Sequence, residues 1–299
     1  MGFAIFNPAQ SISVINRNFF KNPAFAVVQE AASGVVPVNT NVPTASLGYP
    51  GEAEWCLASL SVSCGYSFSG QTLRLTPSAG QTHYIIQRIE AVDAARLAGK
   101  VISLSAELAA KGGLVTFQIF RPTTTKDTHG TIAASTQTLE FDSGIMALSA
   151  TLKRYSHTVT LPIECELGIE VRFVVTTAGG QTDVQFARPK LEEGNIATAF
   201  TSDDYAIELV KCERYFRKMT DFLYTYMVST GTMVSERHHF GMFSTTRIRK
   251  LYSQNSISGT GVSISAGVNE NSTKSFYQNN AGAGYWGGNP FYAISAHIP

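Results

Sequence analysis

The chain has 299 residues and carries 23 basic and 22 acidic side chains, so its formal net charge is +1. That balance excludes a general electrostatic attraction to nucleic acid or to anionic lipid. An apolar content of 44% with only 15% charged residues argues against intrinsic disorder, and at roughly 150 residues per domain the length favours two domains.

Residues 1–16 are predicted to form an extended N-terminal attachment segment. The segment contains the apolar residues Ile5, Ile12, Val14 and Ile15, with polar residues among them. It lacks the basic start and the continuous apolar stretch of a signal peptide. Two interpretations stay open, because such a segment is either a disordered tail or a strand that pairs with a partner protein.

Residues 17–202 are predicted to form one antiparallel, jelly-roll-like β-sandwich. Loop signals dominate the first part, where Asn22-Pro23, Gly34, Pro37 and Pro43 interrupt the chain. Short runs in which apolar residues alternate with polar ones follow, with almost no helical periodicity between them. This pattern favours two packed antiparallel sheets. The runs are 55–62, 72–76, 84–89, 101–108, 114–120, 138–142, 154–161, 168–176 and 182–191.

A connector helix is predicted for residues 203–218. Two aspartates at 203–204 suit its N-terminus, where the helix dipole favours carboxylates. Four residues recur at helical spacing and predict one stripe that packs on a neighbouring domain: Tyr205, Leu209, Cys212 and Phe216.

Residues 219–299 are predicted to form a smaller C-terminal β domain. Strand-like runs return at 222–228, 233–239, 256–264, 274–278 and 291–298. Between the last two runs lies a segment rich in Gly and Asn, 279–290, which predicts a long loop that carries aromatic residues. The fold class expected for the whole chain is therefore all-β.

The four cysteines are predicted to be buried free thiols. Cys56, Cys64, Cys165 and Cys212 form no C-x-x-C pair and have no histidine at zinc-finger spacing. A disulfide between Cys56 and Cys64 across a hairpin is the alternative. Four scattered cysteines in a chain of this length are typical of a protein made in a reducing compartment.

Three short stretches stand out because of their order along the chain. The first is Q-R-I-E (87–90) followed by L-A-G-K-V-I-S-L-S (97–105), and the second is R-P-K-L-E-E-G-N-I-A-T-A-F (188–200). The third is Y-A-I-E-L-V-K-C-E-R-Y-F (205–216). Together they resemble bacteriophage tail-fibre and related virion-fibre proteins. In these, a carbohydrate-binding-module-like jelly roll runs into such a helix, and a C-terminal β domain forms the fibre head.

The resemblance implies a structural fibre or adhesin of a phage-like particle that attaches to host-surface glycan. It also implies a homotrimer, made in the host cytoplasm and assembled into the tail or another surface appendage of the virion. The N-terminal segment would join it to other tail or baseplate proteins. Two alternatives stay open: a capsule- or polysaccharide-degrading enzyme, and a capsid-decorating fibre with no role in host range.

The end of the chain supplies the residues best suited to glycan binding. Aromatic rings cover the apolar face of a sugar, and amide side chains bind its hydroxyl groups. The predicted glycan-binding residues are Tyr277, Asn279, Tyr285, Trp286, Asn289 and Tyr292. In the alternative interpretation, Trp286 packs against its own sheet or against a neighbouring subunit.

No catalytic residue is predicted. Glycan hydrolysis needs two carboxylates about 5 to 9.5 Å apart. The candidate pairs are Glu52 with Glu54, Glu164 with Glu166, and Glu192 with Glu193, and the first two pairs have the spacing to share one strand face. We interpret them as solvated acidic residues, and no G-x-S-x-G nucleophile motif is present.

No cofactor, metal, nucleic acid or membrane insertion is predicted. His238 and His239 are the best candidates for metal ligands, but adjacent residues of a strand point to opposite faces. The basic cluster 247–250 is interpreted as a solvated turn rather than as a nucleic-acid contact. The sequence contains no run of about 18 apolar residues that would form a transmembrane helix.

Overall fold

The computed structural model describes residues 17–29, 31–43, 48–49, 54–76, 80–177 and 183–213. Farther along the chain it describes the backbone of six strands only, at 216–219, 238–240, 248–254, 262–266, 274–280 and 291–296. Nearly all of the regular structure is antiparallel sheet, which confirms the predicted all-β class.

Residues 17–213 contain twelve strands, two α-helices and one 3₁₀ helix among the described positions. The strands are β1 (Ser33–Val36), β2 (Cys56–Ser59), β3 (Cys64–Ser69), β4 (Thr72–Thr76), β5 (Thr82–Ile89), β6 (Val101–Ala109), β7 (Leu114–Pro122), β8 (Gln137–Asp142), β9 (Met146–Ala147), β10 (Lys153–Thr160), β11 (Ile169–Thr176) and β12 (Val184–Glu193). The helices are α1 (Ala91–Ala94) and α2 (Tyr205–Glu213), and the 3₁₀ helix is Ile163–Leu167.

These strands form two sheets that pack face to face. Sheet A has the order β1-β3-β4-β12-β6-β10, and sheet B has the order β2-β5-β11-β7-β8, with β9 paired to β7. Period-2 alternation decides which side chains face the core. In β11, Ile169, Val171, Phe173 and Val175 are buried in the core between the sheets, while the intervening residues lie on the outer face of sheet B.

A cluster of aromatic rings fills the centre of the sandwich. Trp55 is fully buried, and its ring lies 5.5 Å from Phe186 and 5.6 Å from Phe25. Phe173 lies 4.8 Å from both Phe117 and Phe186. The Trp55 indole N–H donates a 3.1 Å hydrogen bond to the carbonyl of Asn22, so its polar atom is satisfied inside the core.

The second motif of the sequence, K-L-E-E-G-N-I-A-T-A-F, has a structural role. Its Gly194 adopts a φ of +124°, and the chain turns back over the outer face of sheet A. The Lys190 ammonium binds the Thr198 hydroxyl, and both Thr198 donors reach the buried Glu192 carboxylate at 2.6 and 2.8 Å. Arg154 donates to the Thr198 carbonyl at 2.9 Å. The motif therefore completes a network of hydrogen-bonded polar side chains on sheet A.

Helix α2 is shorter than the predicted range and is oriented differently. It ends at Glu213, and Phe216–Met219 is a strand, which suits the β-forming Phe216. Cys212 is buried as expected, but Tyr205 is exposed and the buried neighbour of Cys212 is Glu208. At its start, Asp204 accepts a 2.8 Å hydrogen bond from the Ala206 amide, whereas Asp203 binds Lys211.

The C-terminal strands form two small sheets. They are β13 (Phe216–Met219), β14 (His238–Phe240), β15 (Ile248–Gln254), β16 (Val262–Ala266), β17 (Lys274–Asn280) and β18 (Phe291–Ala296). Their orders are β13-β18-β15 and β14-β17-β16. The predicted run 222–228 lies outside the described residues. The basic cluster was wrongly placed in a turn, since Ile248, Arg249 and Lys250 begin β15, where β-forming residues follow.

All four cysteines are buried and free, as predicted, and Cys56 and Cys64 form no disulfide. Burial raises the pKa of the Cys64 thiol to about 11 and that of Cys165 to about 12. The thiols are therefore protonated at neutral pH. Among the described residues, no helix has the length and apolar character needed to cross a membrane.

Candidate functional site

The C-terminal residues predicted to bind glycan are divided between two sheets and a segment outside the described residues. Tyr277 and Asn279 lie two positions apart on β17, and Tyr292 lies on β18, at the centre of the other small sheet. Three more lie outside the described residues: Tyr285, Trp286 and Asn289. This set stays a prediction.

The acidic pairs do not have the arrangement suggested by their spacing. Glu164 and Glu166 lie on the 3₁₀ helix rather than on a strand, and both are exposed. Glu192 is buried against Thr198, whereas Glu193 is exposed and binds Lys100 at 2.7 Å. Glu54 is buried, and Glu52 lies outside the described residues.

The outer face of sheet B presents a different set of polar and aromatic side chains. The pairing register places Tyr84 on β5 opposite Val174 on β11, and Val174 opposite Thr116 on β7. Neighbouring rows of the same face add two threonines and one glutamine. We call the partly exposed group the Tyr84 face, and its members are Thr82, Tyr84, Thr116, Gln118, Val174 and Thr176.

Hydrogen bonds hold both ends of the Tyr84 face. The hydroxyls of Thr82 and Thr176 lie 3.2 Å apart across β5 and β11. At the other end, Gln118 Nε2 donates a 2.8 Å hydrogen bond to Asp142 Oδ2 on β8. Adjacent strands lie about 4.8 Å apart, so three strands give a surface on the scale of one or two sugar rings.

A buried network of ion pairs lies next to the Tyr84 face. Arg88 Nε and Arg172 Nε each donate a 2.6 Å hydrogen bond to one oxygen of the fully buried Glu170. The Arg172 guanidinium also lies 4.1 Å from the centre of the Phe120 ring. Burial would raise the pKa of Glu170, but the two guanidiniums together lower it to about 2. The carboxylate is therefore ionised at any ordinary pH.

The loop 123–136 and Gln137, the first residue of β8, complete this network. Arg172 donates at 2.6 Å to Gln137 Oε1, and Arg88 donates at 2.5 Å to the Gly130 carbonyl. The Gln137 amide lies 3.1 Å from Nδ1 of the buried His129. Burial, with Arg88 nearby, lowers the pKa of His129 to about 3, so this imidazole is neutral. The second histidine nitrogen, Nε2, has no hydrogen-bond partner among the described residues.

Two loops cover the β2 side of the same sheet face. Val42 packs on Cys56, Ala58 and Ile86, and the Ile132 amide donates a 2.8 Å hydrogen bond to the Val42 carbonyl. The partly buried rings of Tyr49 and Tyr84 pack against this apolar cluster. Tyr84 therefore packs against this cluster while part of its side chain remains exposed.

The Tyr84 face has the groups that bind a neutral sugar. A tyrosine ring offers an apolar plane, and the hydroxyl groups of threonines both donate and accept hydrogen bonds. Gln118 adds an amide, and Asp142 adds an acceptor at the exposed edge. Rigid support matters because each side chain that is already ordered loses less conformational entropy on binding. The described residues contain no group of three or more potential metal ligands.

Sequence reasoning missed the Tyr84 face because its members resemble the solvated side of an ordinary strand. One signal was present in β11, where Glu170 and Arg172 interrupt an otherwise apolar strand at a spacing of two. Two charged residues on one face of a central strand require partners, since a buried unpaired charge is strongly unfavourable. That pattern would have indicated a covered and organised outer face.

No protein-family model matches the chain, and no curated protein sequence matches it. Among solved structures, a CBM4 carbohydrate-binding module is 12% identical, with a TM-score of 0.37, over 58% of this chain and 98% of its own. A putative sugar-binding protein from Bacteroides thetaiotaomicron is 13% identical, with a TM-score of 0.38, over 60% and 100%. The enzymatically active domain of bacteriophage CBA120 tailspike protein 4 is 12% identical, with a TM-score of 0.34, over 52% and 21%.

Proposed function

We propose that this chain is a non-enzymatic fibre or adhesion protein of a phage-like particle, and that its sandwich binds host-surface glycan through the Tyr84 face. The observation that carries the glycan proposal is the combination of a partly exposed ring, hydroxyls and an amide beside a buried ion network. The phage-like context is supported by the motifs at 188–200 and 205–216.

Binding would use stacking and hydrogen bonding together. The apolar face of a sugar ring would lie on Tyr84 and Val174, which are adjacent across β5 and β11. The sugar hydroxyls would exchange hydrogen bonds with Gln118 and with the threonine hydroxyls on either side. An aromatic contact of this kind contributes on the order of 1 kcal/mol, so useful adhesion needs several copies of the site.

The assembly proposal supplies those copies. As a homotrimeric virion appendage, the protein would present three Tyr84 faces on one particle-bound fibre. The segment 1–16 would hold it to tail or baseplate proteins, and the C-terminal β region would form the head. The C-terminal residues around Trp286 are the second candidate for glycan contact. Variants of Tyr84 and of Trp286 distinguish the two candidates.

The glycan proposal is tested with the full chain on an array of purified host capsule and lipopolysaccharide. We expect retention of the wild-type chain on at least one polysaccharide, with no release of oligosaccharides into solution. Lack of retention on every surface polysaccharide of a host that the particle infects would overturn glycan binding. Release of oligosaccharides that Glu164→Gln or Glu166→Gln abolishes would overturn the non-enzymatic assignment.

A further inference from the structure

The outer face of sheet B carries a second partly exposed ring besides Tyr84. Phe120 of β7 lies opposite Glu170 of β11, which is four positions from Val174, the partner of Tyr84. An even number of positions along a strand keeps side chains on the same face. Leu139 of β8 lies opposite Phe120 and is 47% exposed. The apolar surface therefore continues at the β8 edge of the face.

The Phe120 ring is held in place by the neighbouring ion network. The Arg172 guanidinium lies 4.1 Å from the centre of the ring, and a cation is attracted to the face of an aromatic ring. Arg172 is itself fixed, because it donates hydrogen bonds of 2.6 Å to Glu170 and to Gln137. A side chain ordered in this way loses little conformational entropy when a ligand packs on it. Phe120 therefore suits a binding surface as Tyr84 does.

Polar groups lie between the two rings. Gln118 of β7 is two positions from Thr116 and two positions from Phe120, so hydroxyl, amide and ring follow one another on one face. The Gln118 amide donates to Asp142, whose other oxygen accepts a 2.7 Å hydrogen bond from the Gly144 amide. The order across the face is therefore ring, polar row, ring.

The two rings are too far apart for a single sugar. Tyr84 and Phe120 are separated by two strand spacings across the sheet and four residues along it, which places their Cα atoms roughly 16 Å apart. If three strands span one or two sugar rings, this distance corresponds to a chain of about three sugars. Arg88 and Arg172 are buried beside this line, so the exposed connection between the rings runs through Thr116 and along β7.

The face favours a glycan over a peptide or a lipid chain. Strands β5, β11 and β7 are each paired on both sides, so a peptide cannot join the sheet there as an added strand. A lipid chain would cover the polar row without satisfying its hydrogen bonds, which is unfavourable. Two basic and two acidic side chains balance in charge, which suits an uncharged ligand: Arg88, Arg172, Glu170 and Asp142.

We infer that the site takes a linear, uncharged glycan chain of at least about three sugars, with one sugar on Tyr84 and another on Phe120. The inference rests on the proposed glycan binding by the Tyr84 face and names the class of glycan. The sugar between the rings would exchange hydrogen bonds with Gln118 and Asp142. Arg172 would act as a positioning residue that holds the Phe120 ring. A single terminal sugar reaches one ring only.

The test is calorimetric titration of the full chain with size-fractionated oligosaccharides of a polysaccharide that it retains. Wild type should bind the longest fraction at least about tenfold more tightly than the disaccharide, because only the long chain reaches both rings. Phe120→Leu keeps an apolar side chain beside Arg172 but removes the flat ring. It should weaken binding of the long fraction about fivefold and change that of the disaccharide by no more than about twofold.

Tyr205→Ala is the matched control, since this ring is 56% exposed on α2, outside sheet B. It should bind both fractions as wild type does. If Phe120→Leu loses its melting transition, the ratio of the two affinities is measured in Leu139→Ser, whose exposed position spares the core. A ratio equal to that of wild type would then contradict the inference.

The remaining outcomes separate this inference from the proposed function. Equal wild-type affinity for both fractions, or wild-type affinity for the long fraction in a folded Phe120→Leu variant, would overturn the chain-length inference and leave glycan binding standing. An equal loss for both fractions in Phe120→Leu would make Phe120 a support of the Tyr84 position, which also contradicts a second sugar position. Retention of no host polysaccharide by wild type would overturn both proposals.

Discussion

The backbone N–H of Asn22 donates a 2.6 Å hydrogen bond to Glu208 Oε2, and this bond joins the start of the sandwich to the helix that leaves it. Asn22 also contacts the core, because its carbonyl accepts a hydrogen bond from the Trp55 indole N–H. The Lys211 ammonium, with Arg17 as a weaker contributor, lowers the pKa of Asp203 at the start of α2. Arg17 and Asn22, near the start of the described chain, therefore meet α2 on one side of the sandwich.

This meeting point bears on how the proposed fibre is built. In the proposed fibre, Arg17, which binds Asp93 at 3.0 Å, would be where the attachment segment joins the sandwich, and α2 would lead to the C-terminal region. Because both connections lie near the Asn22–Glu208 bond, a pull between them need not pass through the two sheets.

The ion network next to the Tyr84 face yields a prediction about stability. Replacing Glu170 with glutamine removes the carboxylate charge that pairs with the buried guanidiniums of Arg88 and Arg172. Breaking a buried pair in this way costs about 3–5 kcal/mol, so Glu170→Gln should lower the free energy of unfolding by that amount. Urea unfolding of the full chain measures it. Glu193→Gln, which removes only an exposed ion pair with Lys100, should change it by less than about 1 kcal/mol.

The buried carboxyl of Glu54 predicts a dependence of stability on pH. Burial raises its pKa from 4.5 to about 8, with Glu90 adding to the effect and Lys21 opposing it. Above pH 4.5 the unfolded carboxyl ionises while the folded one stays protonated. The contribution of this group to stability is therefore full below pH 4.5 and is lost as the pH rises toward 8.

Glu54→Gln should remove this dependence. Relative to wild type, the variant should gain about 1 kcal/mol or more of unfolding free energy at pH 8 compared with pH 5. Denaturant titrations at the two pH values give the difference. If the free energy of unfolding changed equally with pH in wild type and variant, Glu54 would ionise normally in the folded chain.

The contacts of Thr198 predict that the K-L-E-E-G-N-I-A-T-A-F segment stabilises the fold. Its hydroxyl donates to the buried Glu192 and accepts from the buried Lys190. Thr198→Val leaves both charged groups short of a partner and should cost about 1–3 kcal/mol. Thr158→Val is the matched control, since that hydroxyl makes one exposed hydrogen bond to Asn195, and its loss should be much smaller. Equal thermal shifts in the two variants would contradict a structural role for Thr198.

Trp286 provides the prediction for the C-terminal region. If this region contacts glycan, Trp286→Ala should weaken cell binding several-fold, because it removes a stacking ring that contributes on the order of 1 kcal/mol or more. The trimer and the melting transition should be unchanged. Loss of either would instead identify Trp286 as a packing residue.

The strands of the sandwich were predictable where local sequence and burial agree. The run 72–76 matches β4 residue for residue, because Leu73 and Leu75 face the core and Arg74 faces solvent. Strand β3 was missed, since Cys64-Gly65-Tyr66-Ser67-Phe68-Ser69 contains residues with weak β propensity, and its pairing with β4 and β1 stabilises it.

The orientation of α2 and the composition of the Tyr84 face were not predictable in the same way. The predicted helix stripe rested on the assumption that apolar residues of α2 point toward the sandwich. Instead, the backbone N–H of Asn22, which is distant in sequence, donates a hydrogen bond to Glu208. Tyr84, Val174 and Thr116 come from three strands, and only the register brings them into one row. Contacts between distant parts of the chain decide both features.

The central claim is that the Tyr84 face binds glycan, and calorimetric titration of the full chain with a host polysaccharide that it retains tests this most directly. Tyr84→Ala should weaken binding at least about fivefold with an unchanged melting transition, because it removes the stacking ring. Tyr84→Phe should keep most of the affinity, and Thr158→Ala, on the opposite sheet, should keep all of it. Wild-type affinity in a folded Tyr84→Ala variant would contradict the claim.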